Sequence, residues 1–202
     1  YFGLNPERKT ILILGGSLGA RTINQTLTAS LDVVRAHPDV QFIWQTGKIY
    51  IDQVRETITT ATGEVVRNPH ISTIPNLYVT DFIKDMANAY AAADLVISRA
   101  GAGSISEFCL LHKPVILVPS PNVAEDHQTK NALALADKDA AIYVKDVEAK
   151  DKLLPIALET ISNPQKLKDL SESIAKLALP NSATVIAKEV LKLITNPNHQ
   201  LK

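Results

Sequence analysis

Twice along this chain a short apolar run passes through glycines straight into a segment of helical character, and that repetition confines the chain to a narrow set of α/β folds. Thr10-Ile11-Leu12-Ile13-Leu14 reads as a continuous apolar run, as expected for a parallel strand covered on both faces. It leads directly into Gly15-Gly16-Ser17-Leu18-Gly19-Ala20. Asp94-Leu95-Val96-Ile97 does the same through Ser98-Arg99-Ala100-Gly101-Ala102-Gly103, with helical character from Ser104 to Leu111. Gly101 and Gly103 fall where the backbone is expected to turn sharply, and small residues there let an anion approach the free N–H groups of a helix's first turn. Glu107 then places a carboxylate just inside the helix. Ser104-x-x-Glu107 also fits a capping box, in which Glu107 folds back on its own helix and meets no ligand, and on this segment alone the two readings stand level.

The rest of the chain alternates regularly. Strands are predicted near 10–14, 40–45, 77–81, 94–98, 115–118 and 141–144, with helices near 18–36, 49–62, 86–93, 104–112, 126–138, 151–162, 165–178 and 182–195. His37-Pro38-Asp39, Lys113-Pro114, Asn163-Pro164 and Pro180-Asn181 punctuate these elements. The expected fold class is α/β, a doubly wound parallel sheet of about six strands, Rossmann-like, with ligands in the crevice where the strand order reverses. No linker or repeat divides the chain, so residues 1–202 are read as one domain with helices appended at the C-terminus.

Composition narrows the partners. Lys+Arg and Asp+Glu both number 21, so no global basic field argues for nucleic acid. The single cysteine, Cys109, excludes an internal disulfide framework, suits a reducing compartment and is read as a small buried hydrophobe. No apolar stretch approaches a membrane span and the N-terminus carries no signal-peptide pattern, so the chain reads as soluble and cytoplasmic. Gly15-Gly16-Ser17-Leu18-Gly19 misses the dinucleotide register, and the second strand ends in Ile43-Trp44-Gln45-Thr46 with no acid for an adenosine ribose. No Gly-Lys-Ser/Thr follows either turn, which excludes a P-loop. The only D-x-D, Asp137-Lys138-Asp139, falls at a predicted helix end and is read as a solvated terminus. His37, His70, His112, His127 and His199 show no ligand spacing, so no metal is expected.

Four separated motifs then occur in a specific order. These are Gly15-Gly16-Ser17-Leu18-Gly19-Ala20-Arg21 with Asn24-Gln25; Phe82-Ile83-x-Asp85-Met86 before Ala92-Ala93-Asp94; Arg99-Ala100-Gly101-Ala102 with Ser106-Glu107; and Glu125-Asp126-His127-Gln128-x-x-Asn131-Ala132. Together they resemble the MurG family, bacterial transferases that move N-acetylglucosamine from UDP-GlcNAc to the lipid-linked muramyl peptide of peptidoglycan synthesis. The resemblance covers nearly the whole chain. It implies the C-terminal, donor-binding lobe of a two-lobed GT-B glycosyltransferase, with residues 180–202 as a C-terminal helix and tail that pack on an N-terminal lobe.

Carried over residue by residue, the resemblance puts Ser17 on the diphosphate and the Ile83 backbone on the uracil. It assigns helix-start contacts to Ala102, Gly103, Ser104, Ile105 and Ser106, the ribose hydroxyls to Glu107 and the sugar to Gln128, with Gly16, His127 and Asn131 as neighbours. Plainer readings stand beside these: Ile83 as a core residue, Gln128 as an exposed first-turn residue after an Asp126 cap, and Ser17 as the cap of its own helix. The resemblance implies an inverting reaction without a metal or cofactor, and no catalytic residue in this chain. The general base, the acceptor site and contact with the cytoplasmic face of the inner membrane are expected in the N-terminal lobe. The family's phosphate-binding arginine precedes this region, so Arg99 is not given that role. A standalone UDP-sugar-binding subunit, a sensor, or another enzyme of the same fold such as a UDP-GlcNAc 2-epimerase remain alternatives.

Overall fold

The computed structural model describes residues 2–64, 73–121 and 126–195. Glu125, His70 and His199, named above, lie outside them. Six strands form one sheet: β1 Lys9–Leu14, β2 Val40–Gln45, β3 Leu77–Thr80, β4 Leu95–Ser98, β5 Val115–Leu117 and β6 Ile142–Tyr143. Their spatial order is β3-β2-β1-β4-β5-β6, and every pairing is parallel. The order reverses between β1 and β4, the two strands that carry the glycine turns.

Because side chains alternate along a strand, each apolar run feeds two cores. On one side of the sheet Ile11, Ile13, Phe42, Trp44, Leu95 and Ile97 pack with α1 (Arg21–Ala29), α2 (Leu31–Ala36), α3 (Ile51–Thr62) and α7 (Ala149–Ile161). On the other, Leu12, Leu14, Ile43, Val96 and Leu117 pack with α4 (Met86–Ala92), α5 (Ala102–Leu110) and α6 (His127–Ala136). α8 (Pro164–Ala175) gives Leu167 to the first core and Ile174 to the second. Cys109 is buried in the second core, and that burial pushes its thiol pKa up, as suits a packing residue. Asp137, Lys138 and Asp139 are exposed past the end of α6.

Three expectations need correction. The helix predicted over 18–36 begins only at Arg21, because Gly16 and Gly19 take φ of 72° and 86°, and it breaks at Ser30 into α1 and α2. There the Ser30 N–H turns back to the Leu27 carbonyl, after Thr26 and Thr28 have each donated a hydroxyl to the carbonyl four residues earlier, a bond that bends helices. The helix predicted from Ser104 starts at Ala102, with Gly101 as its N-cap at φ −70° and ψ 139°. That extended geometry is open to any residue, so no sharp turn demands glycine at Gly101, and Gly103 lies within the helix.

α9 (Ser182–Thr195) stands apart. All its residues from Ser182 to Leu193 are exposed, and Val185, Ile186, Val190 and Leu193 are 50–63% exposed. Ile186, Val190 and Leu193 follow the four-then-three spacing of one helix face.

Candidate functional site

At the carboxyl ends of β1 and β4 the structure opens a cavity of about 860 Å³. Its first wall is the turn from Leu14 to Thr22, held from behind by Gln45. The Gly15 N–H donates to Gln45 Oε1 at 3.1 Å, while Gln45 Nε2 donates to the carbonyls of Gly16 at 2.7 Å and Asp81 at 2.9 Å. One amide thus ties the turn after β1 to the turn after β3. The residue that argued against an adenosine ribose in the sequence is a brace for two loops.

The second wall is the start of α5. Gly101, Ser104 and Glu107 line the cavity, and a methyl group added at Gly101 would meet no protein atom within 4 Å. Glu107 does not form the capping box: the helix has no side-chain cap, and its carboxylate Oε2 instead accepts the Tyr90 hydroxyl at 2.6 Å. Tyr90 comes from α4, is 6% exposed, and meets Phe108 edge-on with ring centroids 6.0 Å apart. Burial first, then the Glu107 carboxylate, hold the Tyr90 hydroxyl well above its usual pKa, so it remains a donor.

Of the residues expected at the site, Gly16, Ser17, Ile83, Ser104, Glu107 and Gln128 line the cavity. Ser17 is exposed and is not a helix cap, since α1 begins after Ala20 without a side-chain cap. Ile83 is 4% exposed and belongs to the second core while touching the cavity. Gln128 is half-buried, and its Oε1 accepts the Ser120 N–H at 2.9 Å, so it joins α6 to the segment after β5; the Asp126 side chain caps nothing. Ala102, Gly103, Ile105, Ser106, His127 and Asn131 lie outside the lining. Ile105 packs against the second core, and Ser106 donates to the Ala102 carbonyl at 3.0 Å. Asn131 Nδ2 holds the Ala100 carbonyl at 3.1 Å, a support for the turn after β4. His127 opens α6 at the surface.

Sequence reasoning missed Tyr90, Gln45 and the Arg99 cluster. Arg99 lines the cavity, but its Nη1 donates to the Val118 and Pro119 carbonyls and to Asp146, whose other oxygen accepts the Thr22 hydroxyl at 2.8 Å. These contacts join the end of β4 to the segments after β5 and β6 and to α1. No group of three or more His, Cys, Asp or Glu positioned to hold a metal ion occurs among the described residues. Two helix starts, one carboxylate and an anchored tyrosine make a place for a ligand with an anion at one end and hydroxyls at the other.

Residues 10–190 match the model of the glycosyltransferase family 28 C-terminal domain. The chain belongs to this family. Among curated members of similar sequence, a protein of Bacteroides fragilis is 76% identical over 192 residues, covering 95% of this chain and 48% of its own length. One from Bacteroides thetaiotaomicron is 68% identical over 197 residues, covering 98% and 50%. Both are named UDP-N-acetylglucosamine–N-acetylmuramyl-(pentapeptide) pyrophosphoryl-undecaprenol N-acetylglucosamine transferase. The crystal structure of MurG from Acinetobacter baumannii superposes with a TM-score of 0.75 at 29% identity, over 95% of this chain and 52% of that one. This family 28 domain spans about half the length of the curated relatives it matches.

Proposed function

We propose that this chain is the donor-binding half of an inverting, metal-independent GT-B transferase that moves GlcNAc from UDP-GlcNAc to a lipid-linked muramyl-pentapeptide in peptidoglycan synthesis. The observation that carries this reading is the Glu107 carboxylate, released from its own helix and fixed by Tyr90 at the edge of a cavity flanked by two helix starts. The names of the relatives supply the substrates. In this reading the ribose hydroxyls donate to Glu107, the diphosphate lies between Ser17 and the first turn of α5, the uracil meets Ile83 and the sugar meets Gln128.

The chemistry divides accordingly. An acceptor hydroxyl attacks the anomeric carbon and gives its proton to a general base, the bond from that carbon to the diphosphate oxygen breaks, and UDP departs with the electron pair. Peptide dipoles at the starts of α1 and α5 stabilise the charge gathering on the diphosphate, work that a cation does in other transferases. The base, the acceptor site and the attachment to the cytoplasmic membrane face belong to the other half of the protein, against which the bare stripe of α9 packs. No helix among the described residues is long and apolar enough to cross a membrane.

Calorimetric titration with UDP tests the assignment. Glu107→Ala is expected to lose roughly 1.5–3 kcal/mol of a charge-assisted contact, on the order of 10- to 150-fold in affinity, with a melting temperature close to that of the parent. UDP-GlcNAc affinity is expected to change little when EDTA replaces Mg²⁺. Unaltered UDP binding by Glu107→Ala, or a large loss in EDTA, overturns the reading.

A further inference from the structure

Glu107 is exposed at the cavity and its side chain has three rotatable bonds, so left to itself it would wander among rotamers and order only when a ligand arrived. One of its oxygens is already committed: Oε2 accepts the Tyr90 hydroxyl at 2.6 Å, while Oε1 has no hydrogen-bond partner among the described residues. The donor is rigid. Tyr90 is nearly buried on α4, with its ring set edge-on at 83° to Phe108, the residue that follows Glu107 on α5. The contact therefore spans two helices and fixes the carboxylate relative to the sheet as well as to its own helix.

We propose that Tyr90 is the positioning residue for Glu107, holding one carboxylate oxygen so that the group is preset to receive a vicinal diol and the site selects nucleotides with an intact ribose. A carboxylate fixed at one oxygen keeps the other oxygen and a remaining lone pair for two neighbouring hydroxyl donors. Preorganisation also removes the ordering cost that a free glutamate would charge against binding. The inference rests on the reading that Glu107 meets the ribose, and the test separates the two.

UDP and 2′,3′-dideoxy-UDP are titrated into the parent chain and its Glu107→Ala, Tyr90→Phe and Phe108→Leu variants, with thermal melts alongside. Phenylalanine keeps the ring, its burial and the contact with Phe108, and removes only the hydroxyl. The parent is expected to prefer UDP by on the order of 10- to 150-fold, and Glu107→Ala to abolish that preference. Tyr90→Phe is expected to bind dideoxy-UDP as the parent does but to lose about 3- to 10-fold in UDP affinity. Phe108→Leu, which disturbs the packing and keeps the hydroxyl, is expected to retain the preference. If Glu107→Ala keeps the preference, the ribose reading itself fails. If Glu107→Ala loses it and Tyr90→Phe keeps it in full, the role of Tyr90 is overturned while that of Glu107 stands. Equal weakening of both nucleotides by Tyr90→Phe, or loss of the preference in Phe108→Leu to the same extent, assigns the effect to packing and also overturns the proposal.

Discussion

At Gly101 an added methyl group would meet no protein atom within 4 Å, and the backbone is extended with φ −70°, so neither packing nor conformation requires glycine there. Gly101 also lines the cavity. Gly101→Ala is therefore expected to keep stability within about 1 kcal/mol, since a poorer N-cap offsets a less flexible unfolded chain. It should nonetheless weaken UDP-GlcNAc binding about tenfold or more through obstruction of the diphosphate. Denaturant melts and calorimetry on the same variant read both quantities, and undiminished affinity would show that the ligand does not use this opening. Glu107 was legible in the sequence because a carboxylate just inside a glycine-preceded helix has few occupations. That it makes no capping box was not legible, because this depended on where α5 begins and on Tyr90, a residue that reads as one more apolar position on α4. Gln45 was hidden for a related reason: an uncharged side chain at a strand end gains its meaning only from two turns that the fold brings beside it.

The turns after β1 and β2 are interlocked. Gly19 and Gly47 take φ of 86° and 82°; a Cβ on Gly19 would collide with the Thr46 carbonyl and the Tyr50 ring, and one on Gly47 with the backbone of Gly19. This close approach sets where α1 can start, and so sets the first wall of the cavity. Gly47→Ala is expected to cost about 2–6 kcal/mol from left-handed strain and overpacking together. Urea unfolding measures it, and a variant as stable as the parent would mean that the turns slide apart without consequence. The first glycine turn was visible in the sequence. Its partner was not, because Gly47 follows no recognisable motif and is needed only where two backbones touch. Strands were read well for a similar physical reason: a run buried on both faces is continuous in apolar character, whereas the break at Ser30 arises from threonine hydroxyls competing for helix carbonyls, a balance that periodicity does not register.

The family 28 domain covers about half the length of its relatives. Val185, Ile186, Val190 and Leu193 leave α9 an apolar face with nothing over it among the described residues, and the cavity opens at the same carboxyl edge of the sheet that holds both glycine turns. Under the proposed function the 202-residue chain is expected to bind UDP-GlcNAc and to transfer no sugar to a lipid-linked muramyl acceptor, while the chain joined to the N-terminal half of a relative is expected to transfer it. A radiolabelled sugar-transfer assay decides this, and turnover by the chain alone would demand a base within it. The order of the sheet carries one more consequence. Ile11 pairs with Leu95 and Leu14 with Ser98, so the two walls of the cavity come from stretches of chain separated in sequence by two strands that lie on the far side of β1. Under the proposed function a chain in which β1 and β4 have not paired has no nucleotide site, and a ligand present at a hundred times its dissociation constant adds about 2.7 kcal/mol to the folded state alone. Under the proposed function the sugar nucleotide would therefore shield the folded domain from unfolding, and its withdrawal would leave the domain more open to proteolysis.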